Sequence, residues 1–596
     1  MFFPLRRKDR HRHYQLAKTR VIGYNFLGYL EKFKEGIMTE DRPWHRSYHK
    51  DVPVNAVIEK ITMPEILDRT AATFPDRTAF LYMGKKITFQ KLLDYSNRFA
   101  KALLDMGVQK GDKIGMILPN IPQAVIANQA AYRVGAVTAM NNPLYTEREL
   151  QYQLDDSDAK VVVTLDLLLP RVLKIKEKTK VEKIVFCHIN DFLPFPKKQL
   201  FPFVKKEMFN KITPQDNVIA FMDCMKHYDG GDVQNLARWD EPAAILYTGG
   251  TTGVSKGAVL NHSNISSTIQ QFVSLFFDLR EGEESILGIY PIFHVAGYNV
   301  SQNMTILKGW TCILIPRPEP NIITDMLLKY KPTFLPGVPT IYTGLLNNEK
   351  FRKADLSFVK GYFGGAAPLP QDTVNRLKKL HGAVINDVYG STETTAFVTC
   401  MPWRGKIKSG TVGIPIPGTD VKIVDIQDPG KPLPIGSEGE ICAKGPQIMQ
   451  GYYKKPEETG KALVDGWFHT GDIGRLDEEG YLTIVDRKKD MIICSGYNVY
   501  PNEIDEVLFG HPLIVEACAI GVPDEYRGET IRACVVKAPG ADLAAEEVIS
   551  FCRERLAAYK VPKEIVFLDA LPKSTVGKIL RRELREAAIT EKEEAI

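Results

Sequence analysis

From about residue 60 the chain alternates brief apolar runs with longer stretches whose apolar residues recur at helical spacing. KIGMIL (113–118), AKVVVTL (159–165) and AAILYT (243–248) are short, apolar and bounded by turn residues, which is the pattern of buried strands. FQKLLDYSNRFAKALLDMG (89–107) instead spaces its apolar residues three and four apart and predicts a helix with one apolar face. Regular alternation of the two predicts an α/β fold of layered sheets and helices with parallel strands. Near residue 486 the texture changes. VDRKKDMIICSGYNVYPNEIDEVL opens on a cluster of charges, and the roughly 110 residues that follow suit a small α+β domain on a hinge. The expected organisation is a basic extension over 1–40, a large N-terminal domain over 41–486, a hinge at 487–490 and a small mobile domain over 491–596. A chain of 596 residues is too long for one core and leads us to expect about two to four units.

Composition narrows the class. Hydrophobic residues make up 44% and charged residues 25%, an ordinary globular mixture that excludes wholesale disorder. A net charge of +5 lacks the concentrated basic field of a nucleic-acid binder, so no nucleic-acid partner is expected. The nine cysteines are scattered without a CxxC pair, which argues against metal or disulfide frameworks and for a reducing, cytoplasmic compartment. No apolar run approaches the roughly 18–20 residues that span a bilayer. The start, MFFPLRRKDRHRHYQLAKTR, has no apolar stretch after its charges and does not read as a secretory signal. Its seven Lys/Arg against Asp9 read first as a solvated tail. Attraction to anionic lipid, worth ~1 kcal/mol per charge near the surface, is the second reading. The segment 191–212, DFLPFPKKQLFPFVKKEMFNKI, holds five Phe and five Lys, and its prolines forbid one continuous helix. Phe beside Lys suits an interfacial patch, and equally a surface loop with tucked aromatics. Peripheral contact with the inner face of a membrane is therefore a candidate property.

Chemistry concentrates in AAILYTGGTTGVSKGAVLNHSN (243–264). An apolar strand empties into Thr248, Gly249, Gly250, Thr251, Thr252, Gly253, Val254, Ser255 and Lys256. Glycines let backbone N–H groups approach an anion, and hydroxyls with Lys256 add donors and charge, so the loop can cradle phosphates. It is not G-x-x-x-x-G-K-[ST], since Lys256 follows Ser255 and precedes Gly257. Further on, Glu393 follows a Gly-Ser-Thr turn, where a carboxylate beside a triphosphate can hold Mg²⁺. Asp472 suits ribose hydroxyls with Arg487 assisting, and Lys578 sits in a glycine-flanked stretch near the C-terminus. His294, on an apolar strand end, reads first as a satisfied core histidine.

Taken in order, these segments resemble the adenylate-forming superfamily of acyl-CoA synthetases, adenylation domains and firefly-type luciferases. The resemblance covers roughly residues 60–590. YTGGTTGVSKG is similar to its phosphate loop, with Gly250 where many members have Ser, and GYFGGAAPL (361–369) to its adenine-side turn. VYGSTE (388–393), the Asp472 and Arg487 segments and Lys578 complete the set. Within the superfamily, NNPLYTERELQYQLDDSDAKVVV (141–163), WHRSYHKDVP (44–53) and the PFPKKQLFPFVKK insertion are most similar to bacterial long-chain fatty acid–CoA ligases.

The resemblance implies roles position by position. Thr248 to Lys256 would bind the ATP phosphates, with Thr248 and Glu393 placing Mg²⁺. Gly365, Ala366, Ala367, Asp387, Val388 and Tyr389 would surround adenine, and Gly390, Ser391 and Thr392 would continue that wall. Asp472 would bind the ribose, with Arg487 nearby. Lys578 would bridge acyl carboxylate and phosphate, and Lys489 would be the hinge. Ser495, Gly496 and Tyr497 would line the coenzyme A thiol tunnel, and Tyr290, Phe293, His294 and Tyr298 the acyl pocket. Tyr298 falls near where some long-chain members carry a gating Trp, a departure from their pattern. The implied reaction is ATP-dependent activation of a long-chain fatty acid as acyl-AMP, then transfer to coenzyme A. Two alternatives stay open: a medium-chain or aryl acid by the same mechanism, and a non-catalytic nucleotide-binding homologue. An oligomer such as a homodimer is compatible with the sequence.

Overall fold

The computed structural model describes residues 42–213, 215–248, 255–365, 369, 371–494, 497–524, 528–574 and 578–594. The basic extension over 1–40 lies outside them. From Trp44 onward the chain forms one compact unit. The three apolar runs are strands at Lys113–Ile117, Ala159–Leu165 and Pro242–Tyr247, in one eight-stranded sheet. Its central ladder is parallel: Lys113–Ile117 pairs Val137–Met140 on one side and Ala159–Leu165 on the other. A nine-stranded sheet carries Ser285–Gly288, Phe334–Pro336, Gly361–Gly364 and Ile385–Tyr389 as parallel neighbours. One apolar core unites the two, with Ile114, Met116 and Leu246 from the first sheet and Phe80, Ile286 and Phe334 from the second.

The predicted helix over 89–107 is observed as Phe89–Asp105, started by Thr88, whose hydroxyl accepts from Lys91 N at 3.2 Å. In 191–212 the prolines leave only the helix Lys197–Val204 and a 3₁₀ turn at Lys206–Met208. Pro202 lies inside that helix and has no N–H for the carbonyl of Lys198. Asn190 Nδ2 donates to that carbonyl at 3.0 Å instead.

Strands Asp420–Val424, Gly439–Lys444, Trp467–Leu476 and Leu482–Arg487 belong to a third, five-stranded sheet. After Arg487 a fourth sheet is built from Ile492–Cys494, Tyr497–Val499, Ile514–Asp524, Gly528–Lys537 and Glu564–Phe567. Helices Pro501–Phe509 and Ala545–Arg553 cover it, and Ile504, Leu508, Ala519, Val535 and Val548 form its own core.

An aromatic cluster holds neighbouring segments of the large body together. Trp310 is fully buried, stacks on Phe334 at 5.3 Å and donates its indole N–H to Arg280 O at 3.0 Å. Phe276 meets Phe334, Phe363 and Trp403 with ring centroids 5.2–5.9 Å apart. Trp310→Ala should remove about 3–5 kcal/mol from this body, as large aromatic truncations do. The check is the midpoint of its first urea-unfolding transition by circular dichroism; a shift worth under about 1 kcal/mol would mean that the cluster collapses to fill the hole.

Candidate functional site

Thr248 ends the strand Pro242–Tyr247, and its N–H donates to Lys256 O at 2.9 Å, closing the base of the loop before Gly257–Asn261 returns antiparallel. Ser255 Oγ donates to Thr248 O at 2.6 Å, and Tyr152 donates to Ser255 O at 3.0 Å. Gly257 has to be glycine here, since a Cβ would stand 2.6 Å from Ile245 Cγ2 and 3.3 Å from the Tyr247 ring. Gly249, Gly250, Thr251, Thr252 and Gly253 lie outside the described residues, so the structure shows the anchors of the loop and not its crest.

Lys256 rises beside this base. Its ammonium lies 4.5 Å from the Tyr452 ring centroid and 3.2 Å from Glu458 Oε2. Tyr452 donates its hydroxyl to Glu393 Oε1 at 2.7 Å, and burial, with the Glu393 charge and that bond, holds the phenol far above its ordinary range. Glu393 and Lys256 are therefore two ends of one contact chain through Tyr452. Neither Tyr452 nor Glu458 emerged from the sequence reading, although the pair sits in GYYKKPEE (451–458), directly downstream of the predicted site segments.

The opposite wall comes from strand ends of the nine-stranded sheet. Asp387 and Gly364 are register partners, and a Cβ at Gly364 would stand 2.8 Å from Asp387 Oδ1. Burial pushes Asp387 up to about 7. Tyr389 donates to Asp472 Oδ2 at 2.7 Å while Arg487 Nε approaches Asp472 Oδ1 at 3.1 Å, so both carboxylate oxygens are held. The antiparallel pairing of Asp472 with Arg487 sets this geometry. Gly365, Val388, Gly390, Ser391 and Thr392 lie along the same edge; Ala366 and Ala367 lie outside the described residues.

Two lysines from beyond residue 487 reach this wall. Lys578 is pushed down to about 8, chiefly by burial and then by Arg487, with Asp472 opposing and Lys489 adding to the shift. Lys489 is likewise pushed down to about 8 by burial and Arg487, and it feels Lys256 as well. His294 is pushed down to about 4 by burial and by Lys578. Lys256, Arg487, Lys489 and Lys578 thus form a set of cations in which Lys489 feels Lys256 and Arg487, and Lys578 feels Arg487 and Lys489. Crowded like charges of this kind favour a polyanionic guest.

Of the expected acyl-side residues, Phe293 and His294 are half-buried, and His294 Nδ1 accepts from Ala296 N at 3.4 Å. Tyr290 is buried and donates to Gly337 O at 3.0 Å. Tyr298 is sealed in the core, where its hydroxyl bonds that of Tyr132. Ser495 and Gly496 lie outside the described residues, and Tyr497 is described only as part of the strand Tyr497–Val499.

The family models match in the same order as these parts. The AMP-binding enzyme model covers residues 67–453, and that for the AMP-binding enzyme C-terminal domain covers 503–578. The chain belongs to the AMP-binding enzyme family. A long-chain-fatty-acid–CoA ligase of Bacillus subtilis (strain 168) is 42% identical over 92% of this chain and 98% of its own length. One from Escherichia coli O6:H1 is 38% identical over 91% and 98%. Among solved structures, ATP-bound MatB from Rhodopseudomonas palustris is 30% identical with a TM-score of 0.79, covering 88% of this chain and 99% of its own. An anthranilate CoA ligase, AuaEII, in complex with anthranoyl-AMP is 25% identical with a TM-score of 0.80, covering 92% and 99%. These relatives bear out the layered α/β fold with a smaller C-terminal domain.

If these cations face the nucleotide, ATP binding by this family member should be sensitive to pH. Lys489 and Lys578 carry their charges below about pH 8 and lose them above it. ATP affinity measured by calorimetry on the free protein should therefore fall as pH rises from 7 to 9.5, and Lys578→Ala should flatten that fall. Equal pH slopes in the two proteins would show that Lys578 does not feel the nucleotide.

Proposed function

We propose that the chain is an AMP-forming long-chain fatty acid–CoA ligase. The observation that carries this reading is the arrival of Lys578, from the last stretch of the chain, beside Arg487, Asp472 and His294. In the first half-reaction a carboxylate oxygen attacks the α-phosphorus of ATP, the bond to pyrophosphate breaks, and acyl-AMP forms. Both reactants are anionic, so repulsion is the main barrier. Lys578 feels the charges of Arg487 and Asp472, which we assign to the nucleotide side, and His294, which we assign to the acyl side, feels that of Lys578. Its ammonium can offset charge on both partners as it develops.

Lys256 and the N–H groups of the 248–256 loop would hold the β- and γ-phosphates, and Asp472 would accept from the ribose hydroxyls. Among the described residues no group of three or more His, Cys, Asp or Glu could hold a metal alone. One carboxylate, Glu393, with the Thr248 hydroxyl fits Mg²⁺ that is also bound by ATP phosphate oxygens, and the ion would supply further neutralisation of the phosphates.

In the second half-reaction the coenzyme A sulfur attacks the acyl carbonyl, the carbon–oxygen bond to AMP breaks, and AMP leaves. No side-chain nucleophile is needed. The face bearing Ser495, Gly496 and Tyr497 would replace Lys578 at the cleft by rotation of the domain over 491–596 about Lys489. The long-chain assignment is supported by the names of the curated relatives that this chain matches over nearly its whole length. The compartment proposed is the cytoplasm, with peripheral contact at the inner face of the membrane, where long-chain acids partition.

Pyrophosphate release followed across saturated acids from acetate to stearate, with and without coenzyme A, tests the assignment. Release should require acid and ATP, peak at long chains and yield acyl-CoA. A peak at short or aromatic acids would keep the mechanism and move the substrate, and no release with any acid would sink the enzymatic reading. The hinge is tested by comparing Lys489→Ala with Lys489→Pro. The alanine variant removes only the charge and should slow adenylation modestly, whereas proline should in addition block thioester formation from preformed acyl-AMP. Equal effects of the two on both steps would remove Lys489 as the pivot.

A further inference from the structure

The stretch that follows the strand Lys183–Cys187 sorts its side chains into two sets. Phe192, Leu193 and Phe201 are buried, with Phe192 edge to face against Tyr95 at 5.4 Å. Tyr82 donates to Ile189 O at 2.9 Å, and Gln123 donates to His188 O at 2.9 Å. These contacts fasten the stretch to the body. The remaining apolar residues face water: Phe195 is 83% exposed, Phe203 74%, Val204 69% and Leu200 52%. Folding alone gives no reason to leave two phenylalanines and two aliphatics exposed within ten positions, and clustered exposure of this kind marks an interaction surface.

A second element extends the patch. Strands Thr78–Tyr82 and Lys85–Thr88 turn through Met83 and Gly84, and Gly84 lies against Pro194. Met83 is 42% exposed, and Lys85 and Lys86 beside it are exposed too. The charges are mostly of one sign. Lys197, Lys205 and Lys206 are exposed, Lys198 is half-buried, and the exposed acid among them is Glu207, 4.0 Å from Lys205. Apolar residues ringed by lysines match an interface with acyl chains below and anionic headgroups around them.

The place of the patch in the fold fits that partner. Cys187 and Tyr247 end parallel-running strands of one sheet four positions apart, about 20 Å at the usual strand spacing. Tyr82 ends a strand of the other sheet, two positions from Ser285–Gly288, which leads to Tyr290 and His294. Asn120 ties the two rims together, donating to Gly288 O and Tyr290 O at 2.9 Å each. The patch therefore lies on the same rim of the two sheets as Tyr247 and the Tyr290–His294 segment.

We propose that the Met83 turn and the 195–206 segment form a docking surface for an anionic lipid bilayer. Phe195 and Phe203 enter the boundary between headgroups and acyl chains, and the lysines meet lipid phosphates. The benefit of such docking rests on the long-chain reading, since the acid would be taken from the lipid at the rim; the binding itself does not.

Flotation of the full-length protein with phosphatidylcholine vesicles, with and without phosphatidylglycerol, tests the surface. Binding should require phosphatidylglycerol and weaken with salt. Phe195→Ser/Phe203→Ser should lower partitioning on the order of tenfold per ring. Lys205→Glu/Lys206→Glu should lower it by at least roughly 25-fold, about five-fold per lysine. Both variants should keep the parent's circular dichroism melt and, if the chain is a ligase, its rate on a soluble medium-chain acid. The proposal is overturned if the parent ignores phosphatidylglycerol vesicles or if the phenylalanine variant floats as well as the parent. It is equally overturned if the parent is a dimer that the phenylalanine variant breaks, because the patch would then be a contact between copies. Vesicle binding that follows the expected pattern in a protein releasing no pyrophosphate would leave docking standing and remove only the ligase reading.

Discussion

The turn that carries Glu393 is held in a conformation its own residues resist. Thr395 and Ala396 both have positive φ, 49° and 89°, in a region where a side chain costs on the order of 1–3 kcal/mol. What holds them there is a convergence of buried polar groups. Thr268 Oγ1 and Asn299 Nδ2 both donate to Thr395 O, at 3.2 and 3.1 Å, and Thr395 Oγ1 donates to Gln447 O at 2.6 Å. Phe397 stacks on Phe272 at 3.9 Å, and Met449 N donates to Glu393 O at 2.8 Å. Thr268 and Phe272 belong to the helix His262–Val273, which begins directly after the strand that returns from the 248–256 loop. The same helix sends Asn264 to Pro446 O and Ile448 O. Loop base, helix, Glu393 turn and the segment leading to Tyr452 are thus one rigid object. The strain at 395–396 is offset because letting the turn relax would orphan several buried donors at once.

The parts contributed from beyond Arg487 are fastened differently. Asn502 N donates to Asp486 Oδ2 at 2.8 Å, Asn502 Nδ2 to Val485 O at 3.2 Å, and Arg581 to Asn502 Oδ1 at 2.6 Å while pairing with Asp505. Burial raises Asp505 to about 6 against the pull of Arg581. This junction is made through directional polar contacts to Val485 and Asp486, whereas the Glu393 turn is locked into a core. On the two-step reading this asymmetry is useful. The wall that binds nucleotide stays fixed, and the piece bearing Lys578 can leave. Departure of pyrophosphate would also strip the cations of their main counter-charge, so the cluster of Lys256, Arg487, Lys489 and Lys578 would then repel and favour opening.

The α/β layering was legible because buried parallel strands are read from composition alone: AKVVVTL and AAILYT have no polar face to confuse the pattern. Short strands such as Thr399–Cys400 and Ile414–Pro415 carry too few residues for any period, and they were not foreseen. At the site, Asp472 and Arg487 were read as neighbours, and antiparallel pairing is what makes them so. Tyr452 was not read, because its function comes from lying under Lys256 and against Glu393, 196 and 59 positions away in the chain. Spacing in sequence carries no trace of such a contact. The 191–212 stretch was ambiguous for a similar reason. Phe192 and Phe201 are tucked while Phe195 and Phe203 are exposed, and only the fold decides which ring faces which way.

Tyr298 bears on the acyl side that the proposed reading assigns to this segment. The chain from Tyr298 to Asn303 makes a π-helical turn, and all six of its side chains are buried. A wider turn of this kind rotates the residues that follow relative to an α-helix, and such turns favour functional sites. Here Tyr298 meets Tyr132 in the core, Gln302 accepts from Asn128 Nδ2 at 2.9 Å, and Gln302 donates to Asn303 at 2.9 Å. A swinging gate at Tyr298 would have to break a buried hydroxyl pair, at a cost of about 1–3 kcal/mol. Phe293 and His294, half-buried just upstream, are under no such lock and lie on the side that Lys578 reaches. On the proposed reading, then, selection of the acid belongs to residues at the mouth of this segment, and the buried amides behind them supply a wall that does not yield.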